Sequence, residues 1–210
     1  MHQTRLRRMS DKPTDKFISN RFLQLNPMLP PKIFMTDRHR LPNWKEVLLT
    51  LPEGTGVILR DYDAPDRKEM AEQIADICVA RGLVLSIGGD PKLALALGAG
   101  LHMPEKQAPT LFRHLSRIPA DALVTLSVHS AKGMISARQI SVDAVLISPV
   151  FPTNSHPNAA TLGPMRFASL VKDCPCPVYA LGGMSDTQLK RLGTFRTHNI
   201  VGYAAIEALP

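Results

Sequence analysis

Eight short apolar runs recur along the chain from residue 32 onward, and they limit its fold more than any other feature. Residues 32–36 (KIFMT), 56–60 (GVILR), 83–87 (LVLSI) and 100–102 (GLH) are the first four. Residues 123–128 (LVTLSV), 144–148 (AVLIS), 177–181 (PVYAL) and 199–203 (NIVGY) complete the set. Each run is nearly continuous in apolar residues rather than alternating, as expected of parallel strands covered on both faces.

Helical patterns lie between the runs. In residues 66–81, Met70, Ile74, Ile77 and Cys78 recur at the spacing of one buried helix face. Asp66 with Glu69 has the form of a capping box at its start, and Gly82 ends it. Ser185 followed by Gln188 opens a second helix over residues 186–192, after the turn "GGM". Strand–helix alternation predicts a parallel α/β fold, and eight units predict a closed (β/α)8 TIM barrel in a single domain. A doubly wound open sheet is the alternative. Only a few residues follow the eighth run, so the last helix is expected to be missing or truncated. Residues 1–31 are expected to form a partly helical N-terminal extension before a barrel domain over 32–210. Phe17, Phe22 and Leu23 in its "DKFISNRFLQL" stretch are available to cover the wall that the last helix would leave bare.

Bulk properties narrow the partners. A chain of 210 residues buries roughly 70% of its unfolded surface, enough for a core without covalent staples. Three cysteines, Cys78, Cys174 and Cys176, suit a reducing cytoplasm better than a disulfide framework. Cys174 and Cys176 flank Pro175 with no second pair or nearby His, which argues against zinc. The net charge of +7 sits largely in the head "MHQTRLRRMSDK" and in residues 38–40. With 5% aromatic residues there is little to stack bases on, so anionic small molecules are expected as partners, not nucleic acid. The head lacks the apolar core of a signal peptide, and no run of about 18 apolar residues occurs. A soluble, cytoplasmic protein without membrane contact is expected, and a homo-oligomer is compatible with the sequence.

In such a barrel, chemistry sits just after the carboxyl ends of the strands. The candidates there include Asp37 and Arg38, Arg60 and Asp61, residues 88–90, His102, residues 127–130, residues 148–156, Gly182 with Gly183, and residues 202–205. In "ALGGMSD" two glycines precede a helix start, which suits a phosphate lying on free backbone amides; a tight turn demanding glycine is the alternative. Arg60 could meet a phosphate bidentately, or pair with Asp61, Asp63 or a neighbouring loop carboxylate. His129 and His102 are each either acid–base groups or satisfied core residues.

Taken in order, these loops resemble the thiamine-phosphate synthase family, which includes a thiazole tautomerase branch. "IFMTD" is similar to the family's "LYLVTD", "VILRDYD" to "VQLREK", and "ALALGAGLHMPEKQAP" to "ALALGADGVHLGQEDLP". "LSVHS", "VDAVLISPVFPTNSH", Leu162–Gly163 and "PVYALGGM" match "VSVHS", "ADYIGVGPVFPTPTK", "LG" and "PVVAIGGI". The resemblance implies Mg²⁺-dependent joining of a pyrimidine diphosphate to a thiazole phosphate, with release of pyrophosphate. It places Arg60, Ser127, His129, Thr153 and His156 among the catalytic positions. It places the acceptor phosphate on Gly182, Gly183, Gly202 and Ala204.

Departures from the family pattern fall on the chemistry. The two metal-binding aspartates correspond to Gly89 and Gln107, the pyrimidine-side Gln and Lys to Ile58 and Tyr62, and the loop Lys to His156. The tautomerase branch's catalytic His corresponds to Pro149. Asp90 and Glu105 stand one or two residues off register as substitute oxygen ligands for Mg²⁺. The expectation is therefore a synthase-like protein of thiamine biosynthesis with a weakened metal and diphosphate site. The alternative is a non-catalytic barrel holding a thiazole phosphate, thiamine phosphate or another phosphorylated ligand.

Overall fold

The computed structural model describes residues 29–111, 113–153, 159–193 and 199–207. Within them the apolar runs form eight strands: β1 Lys32–Met35, β2 Gly56–Leu59, β3 Val84–Gly88, β4 Gly100–Met103, β5 Val124–Val128, β6 Ala144–Ile147, β7 Val178–Leu181 and β8 Ile200–Ala205. Each strand pairs in parallel with the next, and β8 returns to β1 with Lys32 opposite Tyr203. The sheet is a closed barrel, which excludes the open doubly wound alternative.

Seven helices follow the strands: α1 Trp44–Thr50, α2 Arg67–Arg81, α3 Pro91–Ala96, α4 Ala108–Leu111, α5 Ala131–Gln139, α6 Gly163–Lys172 and α7 Asp186–Gly193. The β4–β5 connection is the irregular one, with short 3₁₀ turns at Glu105–Gln107 and Leu115–Arg117 flanking α4. No helix follows β8 among the described residues, which end there at Glu207. Helix α2 buries Met70, Ile74 and Cys78 as its periodicity predicts, with Ala71 in addition and Ile77 only partly buried, and it ends on Gly82 at φ +63°. The capping box expected of Asp66 and Glu69 does not form. Asp66 is the N-cap residue but caps nothing with its side chain; its carboxylate pairs instead with the Arg38 guanidinium, a charge-assisted partner.

Two apolar layers result. Ile33, Met35, Ile58, Ala144, Leu146, Tyr179 and Ala204 fill the barrel interior. The larger layer, including Phe34, Leu59, Ile87, Leu101, Val145 and Phe167, lies between the sheet and its helices. The amino end of the barrel is stoppered by the approach to β1, where Pro30 O accepts a 2.7 Å hydrogen bond from the Tyr179 hydroxyl. The rest of the expected N-terminal extension, with Phe17, Phe22 and Leu23, lies outside the described residues. Among the described residues no helix is long and apolar enough to cross a membrane.

Candidate functional site

A cavity of about 500 Å³ opens at the carboxyl ends of the strands. Arg60, His102, Ser127, His129, Thr153, Gly182, Gly183 and Ala204 all line it, joined by Ser148, Tyr62 and a largely apolar remainder. Seven of the sequence-derived site residues are thus brought to one mouth together with His102. Gly202 is a correction: it faces the other end of the barrel, where an added Cβ would meet Pro31 O at 2.1 Å. His156 lies outside the described residues.

The cations at this mouth are already engaged. Arg60 pairs with Asp37, and its Nε lies 3.5 Å from Thr36 O. Of the carboxylates weighed for Arg60, Asp61 is turned elsewhere: it accepts from the Thr36 hydroxyl and, at 2.7 Å, from Arg38 N. Arg40 pairs with Glu207 just beyond β8. An anionic ligand must therefore compete with carboxylates for both guanidinium groups.

Two histidines take different roles on adjacent elements. His102 on β4 is fully buried, with Nδ1 2.8 Å from Thr125 Oγ1 and Nε2 3.0 Å from Ser127 Oγ. Burial, with the charges of His129 and Arg60 added, brings its pKa down to about 3, so the ring is neutral. His129, just past β5, places Nδ1 3.2 Å from Ser148 O and 3.0 Å from Ser148 Oγ. A carbonyl can only accept, so Nδ1 carries a proton, and the residue lines the cavity.

The loops after β6 and β7 are stitched to each other. Val150 N donates to Leu181 O at 2.9 Å and Phe151 N to Gly182 O at 3.0 Å. Gly182 and Gly183 both have positive φ, +91° and +61°. A Cβ on Gly183 would meet Pro152 O at 2.4 Å, and one on Gly182 would meet Pro149 at 2.9 Å. Glycine is required here by conformation and by the neighbouring loop, and the same two residues also border the cavity. Helix α7 starts directly afterwards, with Ser185 Oγ accepting from Gln188 N at 3.3 Å. Asp186 in its first turn is held below the usual carboxylate range by hydrogen bonds from Lys32 and the Tyr203 hydroxyl.

At the corner formed by β2, β3 and β4, Gly89 and Gln107 face each other. A Cβ on Gly89 would lie 3.2 Å from Gln107 Oε1 and 3.3 Å from the Tyr62 ring. Asp90 is the N-cap of α3, where Oδ1 accepts from Lys92 N and Leu93 N at 3.0 Å each. Ser130 is the N-cap of α5, its Oγ accepting from Gly133 N at 3.1 Å. The Glu105 carboxylate braces that cap, accepting from His129 N and the Ser130 hydroxyl and resting against Gly133. Arg67 reaches into the same corner and binds the carbonyls of Asp61 and Gly88.

The family model for thiamine monophosphate synthase matches residues 33–209. The chain belongs to that family. A chain of Aquifex aeolicus that carries the provisional name thiamine-phosphate synthase 2 is 30% identical over 168 residues, covering 77% of this chain and 89% of that one. A thiamine-phosphate synthase of Vibrio parahaemolyticus is 26% identical, covering 81% and 86%. Among solved structures, a thiamine phosphate pyrophosphorylase from Pyrococcus furiosus superposes with a TM-score of 0.65 at 18% identity, over 84% of this chain and 85% of that one. At that identity the superposition speaks for the fold.

Against the Mg²⁺ that the thiamine monophosphate synthase family implies, this corner does not fit. Gly89 and Gln107 offer no carboxylate, Asp90 caps α3 with Oδ1 and turns Oδ2 toward Arg67, and Glu105 is held by His129 N and the Ser130 hydroxyl. Among the described residues no three His, Cys, Asp or Glu side chains are grouped to hold a metal ion. Sequence reasoning left Arg60's partner open among Asp61, Asp63 and a neighbouring loop carboxylate, which proves to be Asp37, and it singled out neither Arg67 nor the contact of Glu105 with the Ser130 cap. Only Gly133, a glycine in the first turn of α5, gave a signal, since glycine inside a helix marks a close approach.

Proposed function

We infer that this barrel binds a phosphorylated small molecule of the thiazole phosphate or thiamine phosphate class, as a member of the thiamine-phosphate synthase family. Its Mg²⁺-dependent joining of a pyrimidine diphosphate to a thiazole phosphate is slow. The observation that carries this reading is the contrast between two parts of one mouth. The cavity, the Gly182–Gly183 turn and the start of α7 leave room and backbone amides for one phosphate. At the Gly89–Gln107 corner, by contrast, neither of the two positions where the family resemblance puts a metal-binding aspartate carries a carboxylate to hold the metal that would stabilise a departing diphosphate. Loss of one such electrostatic contact typically costs about a hundredfold in rate.

A second reading, in which the barrel holds its ligand without transforming it, draws support from the pairing of Arg60 with Asp37. That arrangement engages the Arg60 guanidinium internally and leaves it no free charge opposite a leaving group.

The test uses the purified full chain. Melting temperature is measured with thiazole phosphate, thiamine phosphate, pyrimidine diphosphate and pyrophosphate, each with and without Mg²⁺, beside a synthase assay. Ligands that bind the folded state raise its melting temperature by mass action. The expected result is stabilisation by thiazole phosphate or thiamine phosphate, with little turnover. Vigorous Mg²⁺-dependent turnover sinks the slow-reaction reading, and no shift with either monophosphate sinks the ligand class.

A further inference from the structure

Four oxygens converge between the carboxyl ends of β2 and β3, and a guanidinium sits among them. Arg67 Nε donates to Asp61 O at 2.9 Å, and Nη2 donates to Gly88 O at 2.6 Å while lying 3.5 Å from Leu59 O. Nη1 stands 3.7 Å from Asp90 Oδ2, the carboxylate oxygen not used in capping α3. The Arg67 side chain is only 14% exposed, and its guanidinium lies 5.9 Å from the centre of the Tyr62 ring. Three carbonyls and a carboxylate are the hard oxygen donors that Mg²⁺ or Ca²⁺ takes. Gly89, at one of the family's metal positions, follows directly on one of those carbonyls, and Tyr62 packs against both Gly88 and Gly89.

We propose that Arg67 is the resident cation of this corner, a permanently charged side chain standing where convergent oxygens would otherwise take a divalent ion, so that ligand binding at the mouth needs no metal. The second half of this statement rests on the phosphorylated-ligand reading above; the first half does not. A guanidinium stays protonated throughout the accessible pH range and cannot be removed by a chelator. It also satisfies carbonyls that would be costly to leave buried without a donor. Arg67 does not line the cavity, so it is a positioning residue: it fixes the ends of β2 and β3, and with them Arg60 and Tyr62.

The experiment combines a metal titration with chemical rescue on the full chain. Mn²⁺ binding to the unmodified protein is followed by electron paramagnetic resonance, and melting temperatures are recorded for it and for Arg67→Ala. Each is measured alone, with low-millimolar guanidinium chloride, and with Mn²⁺ or Mg²⁺. The unmodified protein is expected to take up no Mn²⁺ at roughly millimolar concentration, the affinity of a weak oxygen site, and to keep its melting temperature in a chelator. Arg67→Ala is expected to melt about 5 °C lower and to recover part of that loss with guanidinium or a divalent ion. A merely structural arginine would give the loss without ion-specific recovery.

One Mn²⁺ bound per unmodified chain overturns the proposal, as does an Arg67→Ala protein that neither ion restores. If Arg67→Ala does not fold, the Mn²⁺ titration of the unmodified chain decides alone. Inorganic phosphate serves as the ligand probe. Stabilisation by phosphate only in the presence of Mg²⁺ overturns metal-free binding while leaving the ligand reading intact. No stabilisation by phosphate under any condition counts against the ligand reading, and the Mn²⁺ titration still judges Arg67.

Discussion

Nε2 of His102 and Oγ of Ser127 stand 3.0 Å apart on adjacent strands, buried at the floor of the cavity. With Thr125 on its other nitrogen, the ring is satisfied only by neutral hydroxyls, and burial brings its pKa to about 3. An unfolded histidine titrates near 6.5, so protons bind the unfolded chain more readily. The contribution of His102 is therefore complete above about pH 6.5 and is lost progressively as pH falls toward about 3. Between pH 8 and pH 5 this one group should remove about 2 kcal/mol of stability. Urea unfolding at the two pH values, compared with His102→Gln, measures it; an unchanged pH slope in the variant contradicts the assignment.

The Arg60–Asp37 pair gives a second expectation. Asp37 is 12% exposed in its side chain and Arg60 29%. Asp37→Asn removes the carboxylate that competes with an anion for the guanidinium. Inorganic phosphate should then bind about five to ten times more tightly, at a cost of about 1 kcal/mol in stability without ligand. Isothermal titration with phosphate reads the first effect and thermal unfolding the second.

Gly183→Ala places a Cβ at φ +61°, 2.4 Å from Pro152 O. The left-handed backbone and the clash together should cost about 2–4 kcal/mol. Phosphate protection should weaken as well, because the loops after β6 and β7 would separate. Chemical denaturation with and without phosphate checks both effects.

Glu105→Ala removes the carboxylate that accepts from His129 N and from the hydroxyl of Ser130, the N-cap of α5. The loss should be about 1 kcal/mol, the usual net contribution of a hydrogen bond, because Ser130 still caps the helix. The response of the protein to Mg²⁺ should not change. A variant that loses a Mg²⁺ response while keeping its stability would show that Glu105 serves a metal.

The barrel was legible because eight continuous apolar runs leave few other ways to cover both faces of a sheet. The irregular β4–β5 connection was not, since residues 104–122 carry three prolines and short helical stretches without a clear period. Asp66 and Glu69 had the right spacing for a capping box, yet a cation from the loop after β1 took the carboxylate. Such tertiary competition is invisible to local pattern. The mouth residues followed from strand ends and were mostly placed as expected. Gly202 was not, because the count along β8 began one residue early and the strand runs on to Ala205. Arg67 could not be found by motif, because its partners are backbone carbonyls, one of them 21 residues away. Carbonyls have no sequence signature.

The crowding around Gly89 also makes the corner hard to reverse by single steps. Gly89→Asp alone sets a side chain at φ +68° against Gln107 and Tyr62. Loss of Arg67 alone strips the carbonyls of Asp61 and Gly88 of their donor. Either change costs stability before any carboxylate site exists to reward it, and typical domains have only about 5–15 kcal/mol to lose. The corner is thus held by a ratchet: a coordination shell of carboxylates could be built here only by several coordinated substitutions, each costly when made alone.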